Sequence, residues 1–366
     1  MTLALPSTPW MAREGPKKAG VGGAFAMLQI ENKTPFQAGI AVFSGADSIE
    51  TLILTIKGTF AIKDTLGLAD EQAPLANADE YWGEAAQSSL KYAAEVHLAK
   101  PATDVVMNGH AQVPGQSPVT QLDVRLSVGN LKKIVRVFGD RRWTGGFLSP
   151  KMTRATPFET MPLVYERAFG GVSPTEGAEG GREFEPRNPV GRGFIGKGKG
   201  GDPKDQALPN LEDPAHLISR PTDCPLPAGF GYLAPSWIPR RAFAGTYDES
   251  WQKTRSPYLP RDFNPRFFNA AHPDLVCQGY LTGGEPVQIV NASPQGPLRF
   301  SLPKAGMAVT VWHARKEEKP VPRLETVLLE PDESRVFLIW RAVLPCPRGA
   351  LKVSKVGVSL EKLDLV

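Results

Sequence analysis

Apolar and polar residues alternate in two blocks, one near each end of the chain. The clearest run extends from Thr51 to Lys63, where threonine and lysine side chains alternate with Leu52, Leu54, Ile56, Phe60 and Ile62. A period of two places successive side chains on opposite faces of a strand. This run therefore predicts a long strand with one face buried and the other exposed.

The same alternation predicts the other strands of both blocks. Gly129-Asn130 separates two alternating runs, which is typical of a β-hairpin, and Pro331 to Ser334 has the composition of a turn between two more. We predict a mainly β fold, an antiparallel β-sandwich or meander with few helices. Its further strands are expected at residues 36–42, 102–113, 122–128, 131–138, 287–290, 298–302, 309–313, 324–330, 336–343 and 351–360.

Residues 139–285 lack this periodicity. Disordered segments are poor in aromatic residues, yet this stretch holds more than half of the chain's Phe, Trp and Tyr. Fixing irregular backbone costs roughly 1 to 2 kcal/mol per residue, so large buried side chains must offset that cost. We therefore predict a long, ordered, loop-rich central segment that is held by Trp143, Phe169, Trp237, Trp251 and Phe268.

These patterns divide the chain into four parts. Residues 1–26 are expected to be a flexible extension, 27–138 a first β block, 139–285 the irregular segment and 286–366 a second β block. Each block is small for an independent sheet, so we expect residues 27–366 to form one composite module. Met27 directly precedes the first alternation, and a start of translation there is left open.

Composition narrows the class of protein. The net charge of +4 comes from interleaved acidic and basic residues, which argues against a nucleic-acid or membrane partner. The three cysteines are far apart and odd in number, so neither a disulfide framework nor a zinc knuckle is expected. No stretch approaches the roughly 20 apolar residues of a membrane helix. We expect a cytoplasmic protein.

Motifs for cofactors and metals are weak. Gly191 to Gly196 matches G-x-G-x-x-G, but no buried strand precedes it and a poor helix start follows. The histidines show no short metal-ligand spacing. We expect no cofactor and no metal.

Two groups of polar residues invite a catalytic interpretation. Asp104, Asn108 and His110 alternate within one predicted strand, where Asp104 and His110 would stand roughly 20 Å apart, so we expect a polar outer sheet face. Carboxylates near aromatics, Asp140, Glu166, Asp213 and Asp248, could serve glycoside hydrolysis, but nothing selects a pair. We expect Asp140 to pair with Arg141, and Glu166 with Arg167, in networks that fix loops.

Arginine and aromatic side chains beside turns can hold irregular backbone, and they also dominate the hot spots of interfaces. The sequence does not separate these two uses. The candidate interface or loop-fixing residues are Lys100, Asp104, Asn108, His110, Asp140, Arg141, Trp143, Tyr165, Glu166, Arg167, Arg187, Asn188, Tyr247 and Asp248.

Several motifs in order resemble a bacterial family catalogued as a domain of unknown function, number two-one-six-nine. The resemblance covers roughly Leu28 to Leu344. Its motifs are Lys100 to Val105, Asn108 to His110, Phe138 to Arg141 with Trp143, Tyr165 to Gly171, Arg187 to Gly191, Leu208 to Glu212, Pro227 to Gly231, Ala244 to Asp248 and Asp262 to Phe268.

The resemblance implies a cytoplasmic component encoded near type VI secretion genes, in some cases an adaptor or chaperone that loads a toxic effector onto the secreted spike. It supplies no catalytic residues. We expect a non-enzymatic protein that binds an effector or a spike-tip protein. A hydrolase acting on a cell-envelope carbohydrate or peptide, through Asp140, Glu166 or His110, and a structural part of the secretion apparatus are the alternatives.

Overall fold

The computed structural model describes residues 29–45, 47–63, 65–146, 149–176, 181–196, 202–313, 316–347 and 349–365. The extension expected at residues 1–26, and Met27, lie outside the described residues.

The described residues of the first block form four strands of eight or more residues and six shorter ones. They are β1 (Gln29–Lys33), β2 (Gln37–Ser44), β3 (Glu50–Ile62), β4 (Leu66–Leu68), β5 (Glu80–Tyr81), β6 (Leu90–Tyr92), β7 (Asp104–Met107), β8 (His110–Gln112), β9 (Gln121–Val128) and β10 (Leu131–Phe138).

The central segment has short strands, β11 (Trp143–Thr144), β12 (Lys151–Met152), β13 (Thr160–Pro162), β14 (Phe169–Gly170), β15 (Val172–Glu176), β16 (Arg182–Phe184), β17 (Arg192–Gly193) and β18 (Leu211–Glu212). Its α-helix is α1 (Glu249–Thr254). Single 3-10 turns occur along the chain at Pro114–Gln116, Tyr165–Arg167, Arg240–Phe243, Pro265–Phe268, Pro273–Leu275 and Ala350–Lys352.

The second block forms regular hairpins. Its strands are β19 (Pro286–Val290), β20 (Leu298–Ser301), β21 (Lys304–His313), β22 (Lys316–Glu318), β23 (Arg323–Glu330), β24 (Arg335–Pro345) and β25 (Val353–Asp364). The pattern of the sequence predicted all of these except β22.

Three open sheets combine strands from distant parts of the chain. The largest has the order β2-β3-β24-β23-β7, with β4 beside β3. A second has the order β18-β10-β9-β19-β20, and a third the order β1-β25-β21-β22. All three sheets contain strands of both blocks, and β18 of the central segment joins the second.

The mainly β prediction is confirmed. Most strand pairs are antiparallel, including the predicted hairpin β9–β10, in which Leu131 lies opposite Val128. Three pairs in the described residues are parallel: β1 with β25, β7 with β23 and β14 with β17. One continuous apolar cluster joins the sheets, with contributions such as Ile56 of β3, Leu126 of β9 and Val358 of β25.

The predicted half-buried strand is wrong in one respect, because both faces of β3 are buried. The apolar side chains from Leu52 to Phe60 face the main core, as expected. The opposite face carries Thr55, Lys57 and Thr59, and residues 69–103 cover it. Alternation reports two chemically different faces, but it does not say whether another segment covers the polar one.

Arg341 of β24 lies at the centre of this buried polar layer. Its Nε donates to Glu325 Oε2 at 2.6 Å and its Nη1 to Thr55 Oγ1 at 2.8 Å. The carbonyl oxygens of Glu95 and His97 accept from the same guanidinium at 2.8 and 3.0 Å. One side chain thus ties three strands to the loop that covers them.

Neighbouring ion pairs extend the layer on both sides. Lys57 pairs with Glu95 at 2.7 Å, and Lys100 pairs with Asp104 of β7 at 2.7 Å. His97 stacks on Phe268 with 5.0 Å between ring centroids. Burial and the charge of Arg341 hold the pKa of His97 well below its usual value, so the ring stays neutral and its Nε2 can accept from Arg341.

In the described parts of the central segment, most of the large side chains that were predicted to hold it are buried. Trp143, Phe169, Trp237 and Phe268 are buried. Trp251 is the exception, because it is only partly buried on the short helix α1, where its indole Nε1 donates to the carbonyl of Tyr258 at 2.9 Å. Trp143 and Phe169 belong to a separate small apolar cluster with Ile195, Leu208 and Ile218.

We predict that Arg341→Met destabilises the protein by about 3 to 5 kcal/mol, because it leaves the carboxylate of Glu325 buried without its cation. Chemical denaturation would measure the loss. Adding Glu325→Leu should restore only part of it, since the carbonyls of Glu95 and His97 still lack a donor.

Arg299→Met is the matched control, because Arg299 is exposed on the edge strand β20. It should change the free energy of unfolding by less than about 0.5 kcal/mol. Equal effects of the two arginine substitutions would contradict a special role for the buried guanidinium.

Candidate functional site

The structure distributes the fourteen sequence candidates over five places. Lys100, Asp104 and Asn108 belong to the buried polar layer. A loop-fixing group surrounds Asn188 and Asn210 in the central segment. Arg187 and His110 each form a separate pair, and Tyr247 and Asp248 lie at the start of α1.

Asp104 and Asn108 do not lie on a polar outer face, so that expectation is wrong for both. Asp104 is fully buried and accepts from the backbone N–H of Ala270 and from Asn269 Nδ2, each at 2.8 Å. Asn108 is buried and donates to the carbonyl of Lys91 at 2.9 Å. The predicted strand at 102–113 is two strands, β7 and β8, which belong to different sheets.

Asn188 fixes the backbone of residues 165–170 in the central segment. It is fully buried, and its Nδ2 donates to the carbonyls of Tyr165 and Phe169 at 2.8 and 3.0 Å. Gly170 lies beside it with φ of +150°, and a Cβ there would come within 2.1 Å of the Asn188 carbonyl oxygen. Only glycine fits this close approach.

Tyr165 is a packing residue. Its ring meets Trp237 edge to face at 5.6 Å, and its buried hydroxyl has no hydrogen-bond partner in the described part of the chain. Burial raises the pKa of Tyr165, so the hydroxyl stays protonated.

Asn210, which sequence reasoning did not nominate, links several candidates. Its Nδ2 donates to the Phe138 carbonyl and to Asp140 Oδ1, both at 3.0 Å, while its Oδ1 accepts from Arg167 at 3.2 Å. Asp140 therefore pairs with Arg167 and not with Arg141 as expected. The signal for Asn210 was available, since it lies within the Leu208 to Glu212 motif.

Arg141 and Glu166 also have partners other than those expected. Arg141 pairs with the buried Glu212 and stacks on Phe138. Burial raises the pKa of Glu212 although Arg141 opposes that shift. Glu166 accepts from the backbone N–H and the hydroxyl of Ser89, each at 2.7 Å, instead of pairing with Arg167. Loop fixing is the common role, but the partners come from distant segments.

Arg187 makes a bidentate contact with Glu185, at 2.7 and 2.6 Å. Through this contact Glu185 holds the pKa of Arg187 above its usual value. Glu185 is buried, so the pair fixes the chain just before Asn188. The two residues were separated in sequence by only one position, yet nothing in the pattern marked Glu185 as buried.

His110 stands apart from these groups. Its Nδ1 lies 2.7 Å from Asp332 Oδ2, in the turn between β23 and β24, and nearly half of its side chain is exposed. The hydrogen bond to Asp332 raises the pKa of His110. Asp140, Glu166 and His110 therefore have three different sets of partners, and the structure does not bring them together as an acid–base group.

Asp248 caps α1 by accepting from the backbone N–H of Trp251 at 2.7 Å. The ring of Tyr247 meets that of Trp251 at 4.7 Å. Nearby, Arg255 lies over the ring of Tyr258 at 5.6 Å. We call Tyr247, Trp251, Arg255 and Tyr258 the aromatic cluster. Tyr247 and Tyr258 are each 40% exposed, so part of this cluster faces solvent.

The described surface includes a depression that lies apart from the fourteen candidates. An open depression of about 680 Å³ lies on the second sheet between residues such as Gln288, Arg299 and Phe300, and none of the fourteen candidates lines it. In the described ranges, no group of three or more His, Cys, Asp or Glu side chains could hold a metal ion. No helix among the described residues is long and apolar enough to cross a bilayer.

Fold and contacts thus define a β-rich protein whose irregular central segment is fixed by buried amides, ion pairs and aromatic rings. The chain belongs to a family described as an uncharacterized protein conserved in bacteria (DUF2169), whose family model matches residues 47–341. No curated protein and no solved structure matched the chain.

We predict that Trp143→Ala destabilises the fold by about 3 to 5 kcal/mol, because it empties the centre of the small apolar cluster. Thermal and chemical denaturation would measure this loss. Phe184→Ala, which truncates an exposed aromatic of the same segment, should cost under about 1 kcal/mol. Normal melting of the Trp143 variant would contradict its loop-fixing role.

We also predict that His110 makes a pH-dependent contribution to the free energy of unfolding. A raised folded pKa means that the ion pair stabilises the protein fully below the unfolded value of 6.5, and that this contribution disappears as the pH rises through the folded pKa. His110→Gln should therefore destabilise the protein near pH 5.5 by at most about 0.5 kcal/mol, since the pair is half exposed, and not at all near pH 8.5.

Denaturation of wild type and variant at several pH values would give this difference. The buried histidines His97 and His272 titrate equally in both proteins and cancel in the comparison. A difference that grows with pH would contradict the assignment.

Proposed function

We propose that this protein is a non-enzymatic adaptor or chaperone of the cytoplasm, which binds a type VI secretion effector and helps to load it onto the secreted spike. The motif resemblance supports the secretion context. The aromatic cluster is the observation that carries the binding role, because it places tyrosine, tryptophan and arginine at a surface that a helix cap and side-chain hydrogen bonds to backbone carbonyls hold in place.

A fixed platform favours binding because little conformational freedom is lost when a partner docks. Asp248 caps α1, and Trp251 Nε1 holds the carbonyl of Tyr258 at 2.9 Å. Arg255 Nε donates to the carbonyl of Leu259 at 2.9 Å. The exposed rings of Tyr247 and Tyr258 are thus presented on a short segment whose backbone is already ordered.

The hydrolase alternative has weaker support. It requires carboxyl groups at a defined separation around a substrate, whereas Glu166 is bound by Ser89 and Asp140 by Arg167 and Asn210. Both carboxylates thus form contacts that connect loops of the protein.

Co-expression of the tagged chain with the candidate effector and spike-tip proteins encoded beside its gene tests the proposal. We expect one of them to co-purify as a stoichiometric complex. Tyr247→Ala combined with Tyr258→Ala should weaken that complex at least about tenfold, the effect typical of losing interface hot spots. Phe184→Ala, which removes another exposed ring, should leave the affinity unchanged.

Three outcomes would contradict this function. Failure of every neighbouring effector and spike protein to co-purify would remove the adaptor role. Turnover of a cell-envelope glycan or peptide that is lost in Glu166→Gln would favour the hydrolase. Symmetric self-association without a partner would favour a structural component of the apparatus.

A further inference from the structure

Strand β2 is an end strand of the largest sheet, and none of the described residues pairs with its outer edge. The opposite edge, β7, is covered by other parts of the described chain, since Met107 N–H donates to the Phe230 carbonyl and Cys277 N–H to the Thr103 carbonyl, both at 2.9 Å. On β2, the described residues make no backbone hydrogen bond to any strand except β3. Within the described part of the chain, the eight residues of β2 therefore have one row of backbone groups without a partner.

The register identifies that row. Thr59 of β3 bonds through its N–H and carbonyl to Gln72, and through its carbonyl to Ala69, on the side where β2 and β4 lie. Odd-numbered residues of β3 therefore point their backbone groups toward β2. Their partners, such as Gly39 and Ala41, are bonded to β3. The N–H and carbonyl groups of Ala38, Ile40 and Val42 consequently face outward.

This edge lacks the features that usually prevent further pairing, which are charged residues, proline and bulges. The sequence of β2 is Gln-Ala-Gly-Ile-Ala-Val-Phe-Ser, and its register with β3 is continuous. Other described edges carry charges: Glu31 and Lys33 on β1, Arg299 on β20, and Lys316 on β22. The difference makes β2 a favourable template for an added strand.

The aromatic cluster is joined to the end of this edge. Arg255 Nη1 donates to Ser48 Oγ at 2.8 Å, and Ser48 N–H donates to the carbonyl of Gly45, the residue after β2. Val42, near the same end of the strand, is 43% exposed. A chain lying along β2 can therefore continue toward Tyr258.

We propose that an extended segment of the bound effector or spike-tip protein adds to β2 as a further strand and continues over the aromatic cluster. This inference rests on the function proposed above. It is independent of the family match, which begins at residue 47, after β2 ends.

Buried area favours such a segment over a second copy of this chain. An edge of eight residues is only about 26 Å long, so strand pairing alone covers a few hundred Å², less than the roughly 800 Å² per partner of a stable interface. An extended segment gains further area from the tyrosine rings.

The chemistry of the segment follows from the strand. Ala38 and Ile40 pack against the main core, so their outward neighbours on an added strand extend that apolar face. The segment should carry apolar residues at alternate positions, with backbone hydrogen bonds supplying much of the affinity.

Val42→Pro is the direct test, measured with the effector or spike protein that co-purifies with the wild type. Proline removes an outward N–H and blocks a neighbouring strand, while pairing with β3 persists. We expect affinity to fall about tenfold or more. Val42→Thr, which keeps the branched side chain and the N–H, should bind like the wild type.

Hydrogen exchange of the wild-type chain provides a second measurement that needs no variant. The amides of Ala38, Ile40 and Val42 should exchange rapidly in the free protein and slowly in the complex. Those of Gly39, Ala41 and Phe43 should be protected in both, because they bond to β3.

The outcomes separate this inference from the proposed function. The strand addition alone would be overturned by the following combination of results. The Tyr247/Tyr258 double variant weakens the complex, but Val42→Pro binds normally and the outward amides of β2 still exchange rapidly in the complex. Slow exchange of those amides in the free chain would also overturn it, since the edge would already be covered by this chain or by a second copy. Absence of any complex would overturn both.

Discussion

The guanidinium of Arg341 is the contact on which the rest of the structure depends. It bonds to Glu325 and Thr55 within the sheet and to the carbonyls of Glu95 and His97 in the covering loop. Removing charged groups from water is costly unless each donor and acceptor is paired. The polar face of β3 and β24 therefore requires residues 69–103 to lie where they do, and this loop in turn positions Lys100 against Asp104. An apolar sheet face could pack against many apolar segments, whereas this polar face requires a segment that supplies matching hydrogen-bond partners.

The central segment follows the same principle with amides in place of an arginine. Asn188 and Asn210 are fully buried. The amide of Asn188 donates to the backbone carbonyls of Tyr165 and Phe169, and that of Asn210 donates to the carbonyl of Phe138. A primary amide carries donors and acceptors without a net charge, so its burial is less costly than that of an ion. Asn210 also brings Asp140 and Arg167 together at the surface. The irregular backbone is thus connected through a few buried side chains, with Trp143 and Phe169 filling the apolar space beside them.

Sequence reasoning reached the strands because alternation is a local property. The hairpin β9–β10 and the long strands β3, β23 and β24 were all predicted from periodicity, and so was the ordering of the central segment by aromatics such as Trp237. Burial of the polar face of β3 was not predictable, because it depends on residues 69–103, and the alternation within β3 carries no information about which segment covers it. The hydrogen-bond and ion-pair partners of the charged residues were wrongly predicted for the same reason. Glu166 bonds to Ser89, which is 77 positions away, and Arg141 bonds to Glu212, which is 71 positions away. Neighbouring charges such as Asp140 and Arg141 looked like pairs only because they were adjacent in the chain.

The way in which polar side chains are used bears on function. Lys100, Asp104, Arg187 and Asn188 are committed to internal contacts, so the chemistry that they might have supplied at a surface is already engaged. The described surface presents backbone groups and aromatic rings, among them the outward groups of β2 and the partly exposed Tyr247 and Tyr258. Backbone pairing recognises an extended chain with little regard to its sequence, while rings select where that chain is anchored. An adaptor of the kind proposed above would use this combination to hold a cargo protein by an extended segment.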